Sequence, residues 1–323
     1  MAHKSFYIFL IFTFLSTANL HSREDLLIAE SCLCKFEELK KISADCSDAV
    51  VKLVKNEDDL YFILKQIVIL DLDEQFLLIR DLVASEIGVI CGIPINKVFI
   101  YPAVATDDIR FYHDRAATIH SFVQGISLDE EFPEILFKNF TLQQKFINPN
   151  SPWQKNNPLK ENQQGLTQKI IESMALHSDL PKIVAFDTFV GNADRSYPNI
   201  FYDKSTDKFY GIDNAAAFNC RNLPLLAIER IKELQAGNFF NNCDTTIMRG
   251  LKLYHETLIK LYENIEPKFV QESLQKYSQY LCKKDDKESL KFVMQRAKFH
   301  GKAFEKNYKF VKELICLLEE IIY

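Results

Sequence analysis

The chain has 323 residues, of which 47% are hydrophobic and 26% are charged, and its formal net charge is −5. These values are typical of a soluble globular protein with one large domain or two lobes, long enough to bury a sizeable core. The negative charge and the lack of a zinc-finger spacing exclude an obvious nucleic-acid binder, so we expect no nucleic-acid partner.

Residues 1–22 have the pattern of a signal peptide. Lys4 precedes an apolar run over residues 6–15, and small residues follow up to Ala18. This is the order of a basic segment, an apolar segment and a cleavage site, and the apolar run is too short to span a membrane comfortably. We therefore predict that the protein is exported or secreted, with no stable membrane span after cleavage. A buried N-terminal strand or an uncleaved anchor is the alternative.

The N-terminal half alternates between helical and strand patterns. Apolar residues at helical spacing predict a helix over residues 23–43. Two apolar stretches, 49–54 and 60–70, flank the turn-like sequence KNEDD and predict a β-hairpin. The sequence DEQFLLIRDLVASEIGVICGIP predicts an amphipathic helix that ends at Gly92, and NKVFIYPAVA and ATIHSFVQG predict two more strands. Residues 23–125 are therefore expected to form a small β-rich lobe.

The C-terminal half, residues 126–323, is predicted to be mostly helical. A polar stretch rich in Asn, Gln and Pro over residues 148–165 predicts a surface loop. The sequence SDLPKIVAFDTFVGN predicts a helix with Ser178 or Asp179 as its N-cap. Apolar residues at three- and four-residue spacing predict helices over most of the chain after Asp213. Together with the β-rich first half, this pattern predicts an α+β fold of two lobes with a cleft between them.

The eight cysteines do not have the dense spacing of a disulfide-rich domain. Cys91 and Cys316 lie inside apolar runs and are predicted to be buried thiols. Cys32, Cys34 and Cys46 cluster near the mature N-terminus and are the first candidates for disulfide pairing. A structural zinc on Cys32 and Cys34 is the weaker alternative.

The segment from Gly191 to Asp213 places Asp194, Asn199 and Asp213 around a predicted hairpin. Its strands NIFYD and KFYGID are joined by the turn KSTD, so Asn199 begins the hairpin and Asp213 follows it at the same end. Asp194 lies in the loop that leads to that end. Oxygen ligands of this kind suit Mg²⁺, and phosphoryl transfer needs Mg²⁺ on the phosphates and a carboxylate that accepts the hydroxyl proton. Alternatively all three are ordinary turn and surface residues, since Asp and Asn are common in turns.

A family resemblance covers this segment, whose sequence is FDTFVGNADRSYPNIFYDKSTDKFYGIDNAAAF. It resembles the catalytic segment of the HipA-like kinases and, more broadly, of the phosphoinositide 3-/4-kinase-like branch of the kinase superfamily, which includes type II phosphatidylinositol 4-kinases and actin-fragmin kinase. The shared pattern is G-N-x-D-R-x-x-x-N, a hairpin, and then Ile or Leu before Asp. The resemblance implies a protein-kinase-like fold in which Asp194 is the catalytic base, Arg195 belongs to the catalytic set, and Asn199 and Asp213 hold Mg²⁺. Ser196 stands where many relatives have His.

A second match lies in the N-terminal half, where the sequence YFILKQI places Lys65 on the second strand of the hairpin. The resemblance implies that Lys65 contacts the α- and β-phosphates of ATP and is held by an acid of the following helix. Asp81 occupies the position where relatives usually have Glu, and Glu86 is the alternative. The strand ATIHSFVQG resembles the one that leads to the inter-lobe linker, which places residues 120–125 beside the adenine. Taken alone, Lys65 would be interpreted as an exposed strand residue.

The hairpin that would cover the phosphates departs from the family pattern. Related kinases often place Gly or Ser there, whereas this chain has ADCSDAVV, without glycine. Ser47 is the candidate phosphate donor, but the neighbouring Asp48 would repel phosphate. This departure predicts weak ATP binding or the use of other backbone donors.

The sequence therefore predicts an ATP- and Mg²⁺-dependent kinase that phosphorylates a hydroxyl group, with a protein Ser or Thr preferred as acceptor over a phosphoinositide. Two alternatives stay open: a secreted kinase-like binding protein without activity, and a metal-dependent hydrolase that uses the same carboxylates. The expected partners are ATP and a protein or lipid acceptor. Export and ATP use agree if the protein is delivered into a host cell or a lumenal compartment that contains ATP.

Overall fold

The computed structural model describes residues 37–41, 49–56, 58–67, 71–101, 116–127, 171, 174–175, 177–195, 199–282 and 285–323. Several predictions lie outside these described residues: the signal peptide over 1–22, the phosphate-covering residues Ser47 and Asp48, the cysteines Cys32, Cys34 and Cys46, and the loop over 148–165.

In the described residues of the N-terminal lobe, a five-stranded sheet packs against one helix. Its strands are β1 (Glu37–Lys41), β2 (Ala49–Lys55), β3 (Tyr61–Ile67), β4 (Val98–Tyr101) and β5 (Ala117–Ser121), in the spatial order β1-β2-β3-β5-β4. β2 and β3 form the predicted antiparallel hairpin, in which Val51 lies opposite Lys65. On its other side β3 pairs with β5, and Lys65 lies opposite Thr118. Lys65 therefore lies on the central strand of the sheet.

Residues 37–41 form an edge strand and not the end of a helix. β1 pairs with β2, with Glu38 opposite Val54 and Lys41 opposite Lys52. The helical prediction is wrong for these residues because pairing with the edge of β2 satisfies their backbone groups. That pairing outweighs the weak preference that apolar spacing expresses.

Helix α1 (Leu72–Cys91) follows β3 and carries Asp81. Asp71 caps its N-terminus by accepting a hydrogen bond from the backbone N–H of Asp73. Gly92 ends the helix with φ 62°, a left-handed conformation that glycine adopts without strain, so the predicted end is confirmed. Asp81 lies on the inner face with 0% of its surface exposed. A carboxylate buried to this extent requires polar partners.

The C-terminal lobe contains a three-stranded sheet and a set of helices. The sheet has the order β6 (Ile126–Ser127), β7 (Ile200–Asp203) and β8 (Lys208–Gly211). The described helices are α2 (Asp179–Val190), α3 (Leu223–Ala236), α4 (Thr245–Asn264), α5 (Pro267–Ser278) and α6 (Lys287–Ile322), with 3₁₀ turns at Phe240–Asn242 and Gln279–Leu281. The predicted α+β fold, with a small β-rich first lobe and a mostly helical second lobe, is confirmed.

The predicted hairpin in the C-terminal lobe is also confirmed. Ile200 lies opposite Gly211 in the β7–β8 pair, and Asp203 lies opposite Lys208. α2, the helix before it, ends at Gly191 with φ 71°, so the loop that contains Asp194 starts directly after α2.

The start of α2 differs in detail from the prediction. Ser178 occupies the N-cap position, but its backbone is already helical and its side chain makes no capping hydrogen bond. The backbone N–H of Asp179 donates instead to His177 Nδ1 at 3.1 Å. The capping role predicted for Ser178 or Asp179 is therefore taken by the preceding histidine.

One hydrophobic core extends through both lobes. It joins Leu82 of α1, Ile100 of β4, Phe186 and Phe189 of α2, and Phe304 of α6. A smaller cluster on the N-terminal sheet contains Val54, Leu64, Phe99, Ala117 and Ile119. Because α1 and α2 share one core, their polar residues are held in a fixed relation to each other.

The long helix α6 is amphipathic. Leu314, Leu317 and Leu318 are buried, whereas Cys316 is exposed. The prediction of a buried Cys316 is wrong because the residue lies on the outer face of the helix, although the prediction for Cys91 is confirmed. Across the described part of the chain, no helix is long and apolar enough to cross a membrane.

Candidate active site

Lys65 and Asp213 are in direct contact across the two lobes. Lys65 Nζ lies 3.0 Å from Asp213 Oδ1, and the side chains are 16% and 42% exposed. Burial opposes the charge of Lys65, but Asp213 and Asp81 outweigh it and raise the pKa of the ammonium group. Burial also opposes the charge of Asp213, but Lys65 holds its pKa below the ordinary value. Both members of the pair are therefore charged at neutral pH.

Asp213 has a left-handed backbone, with φ 55°. This conformation is unfavourable for a residue with a side chain, on the order of 1 kcal/mol. The peptide groups on both sides of Asp213 are fixed by hydrogen bonds. Arg195 donates to the carbonyl of Ile212, and the backbone N–H of Asn214 donates to Asp81 Oδ1 at 2.9 Å. One contact comes from each lobe, so the two lobes together determine the conformation of Asp213.

Arg195 is buried and connects three segments of the C-terminal lobe. Its Nε donates to Asp187 Oδ2 at 3.0 Å and its Nη2 to Asp187 Oδ1 at 2.9 Å, which makes a two-point ion pair. Nη1 donates to the carbonyls of Asn199, at 3.0 Å, and Ile212, and Nη2 donates to Asn214 Oδ1 at 2.6 Å. A two-point pair fixes the orientation of the guanidinium as well as its charge. Arg195 is thus a buried residue that positions Asn199, Ile212 and Asn214 at the site.

Asp194 lies in the loop between α2 and β7 and is exposed. Its backbone N–H donates to Asn192 Oδ1 at 3.3 Å, and its carbonyl accepts from Asn199 Nδ2 at 3.4 Å. Partial burial of the carboxyl group and the negative charge of Asp213 raise the pKa of Asp194, although Arg221 opposes this shift. An accessible carboxylate with a raised pKa, close to a second carboxylate, has the properties of a general base.

Asn199 lies at the start of β7. Its backbone carbonyl accepts from Arg195 and from the N–H of Ile212, the latter at 2.9 Å. The hydrogen bond from Ile212 brings Asn199 and Asp213 to the same end of the hairpin. The structure therefore assembles Lys65, Asp194, Asn199 and Asp213 in one region between the lobes.

Asp81 has a different partner from the one that the family resemblance implies. Its Oδ1 accepts from the backbone N–H of Asn214 at 2.9 Å and from Asn214 Nδ2 at 3.3 Å, while Lys65 donates to Asp213. Asp81 is close enough to Lys65 to raise its pKa. Glu86, the alternative, accepts from Tyr277 Oη at 3.4 Å.

His120 belongs to a buried polar cluster under the site. Its Nδ1 lies 3.0 Å from Asn96 Nδ2, its Nε2 lies 2.9 Å from Thr118 Oγ1, and Asp81 Oδ2 is 3.9 Å from Nδ1. Because the amide nitrogen of Asn96 can only donate, Nδ1 accepts and the ring proton is on Nε2. Burial lowers the pKa of His120, so the ring is neutral at pH 7. The side chain of His120 therefore makes its hydrogen bonds within this cluster. Its backbone belongs to the segment that the resemblance places beside the adenine.

Three residues that support the site were not predicted from the sequence: Asp187, Asn192 and Asn214. Asn192 Nδ2 donates to Asp187 Oδ1 at 3.1 Å and so supports the pair with Arg195. The available signal was an acid within the apolar helix sequence PKIVAFDTFV, because a buried acid needs a partner. Asn214 had no distinguishing signal beyond its place next to Asp213.

The oxygen atoms at this end of the hairpin fit a hard cation by their chemistry. Asp213 carries a carboxylate and Asn199 an amide oxygen, which are ligand types of Mg²⁺. Within the described ranges, no group of three or more His, Cys, Asp or Glu residues is placed to hold a metal ion. A Mg²⁺ ion here would depend on further oxygen atoms, such as those of bound phosphates, as is usual for this ion.

No protein-family model matches the chain, and no curated protein matches it. Among solved structures, it is similar to the proinflammatory kinase CtkA of Helicobacter pylori, with a TM-score of 0.45, 11% identity, and coverage of 87% of this chain and 97% of that chain. It is similar to an aminoglycoside phosphotransferase of Alicyclobacillus acidocaldarius subsp. acidocaldarius, with a TM-score of 0.29, 11% identity, and coverage of 90% and 96%. The MAP kinase LmaMPK10 of Leishmania major has a TM-score of 0.28, 10% identity, and coverage of 86% and 83%. The resemblance to HipA-like and phosphoinositide 3-/4-kinase-like proteins stays a prediction, and the function has to be argued from the site.

Proposed function

We propose that the protein is a phosphotransferase that uses ATP and Mg²⁺ to phosphorylate a hydroxyl group. The observation that carries the proposal is the meeting of a lysine from the N-terminal sheet with acids from the C-terminal lobe. Lys65 Nζ lies 3.0 Å from Asp213 Oδ1. Asp194 is close enough to Asp213 that, together with burial, the charge of Asp213 raises the pKa of Asp194. Phosphoryl transfer uses this set of groups: a cation for the phosphates, an acid for the metal ion and a second acid for the acceptor.

Each residue of the site has a distinct role in this proposal. Lys65 binds phosphate oxygens through its charge, and Asp213 and Asn199 supply ligands to Mg²⁺. When bound, ATP supplies the phosphoryl group and Mg²⁺ neutralises its charge. Asp194 accepts the proton of the acceptor hydroxyl, a task that its raised pKa favours.

We propose a Ser or Thr side chain of a protein as the acceptor. Asp194 is exposed, so a hydroxyl group on the surface of another protein can reach it from solvent. A phosphoinositide is the alternative acceptor. Transfer of ³²P from ATP to a protein mixture or to phosphoinositide vesicles distinguishes the two.

Nucleotide binding and transfer test the proposal in sequence. Thermal unfolding is measured with ATP alone and with ATP and Mg²⁺, and a ligand at 100 times its Kd should stabilise the fold by about 2.7 kcal/mol. Lys65→Met should reduce this stabilisation. Lys232→Met should leave it unchanged, since Lys232 pairs with Glu313 on the exposed surface.

Asp194→Asn should retain the binding of ATP–Mg²⁺ and lower the transfer rate by about 10²- to 10⁴-fold. A fold that neither ATP–Mg²⁺ nor ADP–Mg²⁺ stabilises would contradict the proposal. Binding without transfer to any acceptor would instead support a kinase-like binding protein without activity. Undiminished transfer by the Asp194→Asn variant would show that another group is the base.

A further inference from the structure

The carboxylate of Asp81 links the N-terminal lobe to the segment that follows Asp213. Asp81 Oδ1 accepts two hydrogen bonds from Asn214, one from the backbone N–H at 2.9 Å and one from Nδ2 at 3.3 Å. Asp81 has 0% of its surface exposed and Asn214 also has 0%. A fully buried contact of this kind restricts both partners, because neither can exchange its hydrogen bonds for water.

The contact continues into the C-terminal lobe through the same asparagine. Asn214 Oδ1 accepts from Arg195 Nη2 at 2.6 Å, and Arg195 also donates to the carbonyl of Ile212. The amide of Asn214 has its NH₂ group toward a carboxylate and its oxygen toward a guanidinium. The reverse orientation would place acceptor against acceptor and donor against donor. We call this set of residues, Asp81, Asn214 and Arg195, the inter-lobe bridge.

Asp81 makes its hydrogen bonds with Asn214, and Lys65 makes its hydrogen bond with Asp213. Oδ1 is used by Asn214, and among the described residues Oδ2 has no hydrogen-bond partner. The nearest ring nitrogen to Oδ2 is Nδ1 of His120 at 3.9 Å, and that nitrogen accepts from Asn96. Lys65 makes its hydrogen bond with Asp213 at 3.0 Å.

We infer that Asp81 and Asn214 are positioning residues for Asp213, and that Asp81 does not act by holding Lys65. The bridge fixes the peptide groups on both sides of Asp213 and so maintains its φ of 55°. That backbone conformation directs the carboxylate toward Lys65. Without the bridge, Asp213 relaxes to an ordinary backbone conformation and its carboxylate leaves that place. The link to Mg²⁺ rests on the proposed function, whereas the bridge itself does not.

Double-mutant cycles on unfolding separate the two roles of Asp81. The unfolding equilibrium constant is measured for Asp81→Leu, Asn214→Ala and the double variant, and in parallel for Asp81→Leu, Lys65→Met and their double variant. Residues in one hydrogen-bond network are coupled and distant ones are nearly additive. We expect a coupling of at least tenfold between Asp81 and Asn214, and a smaller one between Asp81 and Lys65, which interact through their charges and not through a hydrogen bond. Asp81→Leu keeps the approximate size of the side chain and removes both acceptor oxygens together with the buried charge, so the variant is expected to fold without the hydrogen bonds from Asn214.

Binding of ADP provides a second readout that a merely structural role does not change. Affinity is measured without Mg²⁺ and over a range of Mg²⁺ concentrations by titration calorimetry. Asp81→Leu removes the acceptor of the backbone N–H of Asn214. It should raise the half-saturating Mg²⁺ concentration about tenfold, with less effect on the binding of metal-free ADP. Ser85→Ala is the matched control, because Ser85 is also buried on α1 and bonds Asn96 and Val98 outside the bridge. It should lower stability and leave the Mg²⁺ dependence unchanged.

Three outcomes would overturn the inference. The first is strong coupling of Asp81 to Lys65 with additivity between Asp81 and Asn214, the result expected if Asp81 holds Lys65. The second is an unchanged Mg²⁺ dependence in Asp81→Leu, and the third is an equal shift in Ser85→Ala. If the unaltered protein does not bind ADP with Mg²⁺, the proposed function fails, and the unfolding cycles alone decide whether the bridge exists.

Discussion

Replacement of Arg195 by Met tests whether the buried ion pair with Asp187 holds the site together. The side chains of the pair are 3% and 7% exposed and form two hydrogen bonds of 2.9 and 3.0 Å. Removal of one partner from a buried pair costs about 3–5 kcal/mol, because the other charge stays buried without compensation. Asn214 also loses the donor to its amide oxygen, at about 1 kcal/mol. The carbonyl of Asn199 keeps the N–H of Ile212 at 2.9 Å. We therefore expect the free energy of unfolding to fall by about 5 kcal/mol.

Urea denaturation followed by circular dichroism measures this loss, with two further variants for comparison. Arg195→Lys keeps the charge but not the two-point geometry, so its loss should be intermediate, about 1–3 kcal/mol. Addition of Asp187→Asn to Arg195→Met should recover about 2 kcal/mol, because it removes the uncompensated charge. A loss below 1 kcal/mol for Arg195→Met would refute the reasoning. So would a double variant that is as unstable as the sum of its single changes.

Three other predictions concern single residues. Asp194→Asn should raise the midpoint of thermal unfolding at pH 7. The raised pKa of Asp194 means that its ionised form destabilises the fold, so the difference from the unaltered protein should grow as pH rises through the folded-state pKa and disappear in acid. Burial lowers the pKa of His300 to about 4 from an ordinary 6.5, so its contribution to stability is complete above pH 6.5 and falls by about 3 kcal/mol as pH decreases to 4. His300→Asn should flatten this part of the urea-derived stability profile, and parallel profiles would contradict the assignment. Gly191→Ala should cost about 2 kcal/mol, since φ is 71° and the new Cβ would lie 2.7 Å from Asn307 Nδ2. Gly92→Ala, with φ 62° and 3.6 Å to the nearest atom, should cost only about 1 kcal/mol in the same denaturation assay.

Elements with local signals could be predicted from the sequence. The β2–β3 hairpin follows from two apolar stretches around a polar turn, and the end of α1 follows from Gly92. The β7–β8 hairpin, with Asn199 and Asp213 at one end, follows from alternating aromatic residues around KSTD. In each case the residues that determine the element lie within about ten positions of each other. β1 was mistaken for helix because its partner, β2, decides its conformation.

The partners of the buried charges could not be predicted, because they depend on how distant segments pack. Asp81 and Asn214 are 133 positions apart, and Lys65 and Asp213 are 148 positions apart. The sequence showed that Asp81 follows Lys65 on a helix, and the family resemblance joined the two. Instead, the packing of α1 against the segment after β8 brings Asn214 within hydrogen-bonding distance of Asp81. A carboxylate with 0% exposure has to accept its hydrogen bonds from donors within the protein, and packing determines which donors are in reach.

The buried Asp187–Arg195 ion pair and the left-handed backbone of Asp213 both carry an energetic cost, and their positions indicate their role. Buried ion pairs add little net stability compared with apolar residues of the same size, so Asp187 and Arg195 are not needed to hold the core together. Apolar residues could replace them in packing, but they could not direct the carbonyl of Ile212 or the amide of Asn214. Those two groups flank Asp213, whose left-handed backbone is itself unfavourable. Buried charge and backbone strain thus converge on one residue, and the common result is a single position for its carboxylate. A stable core alone requires neither feature, and this agrees with the metal-binding role that we propose for Asp213.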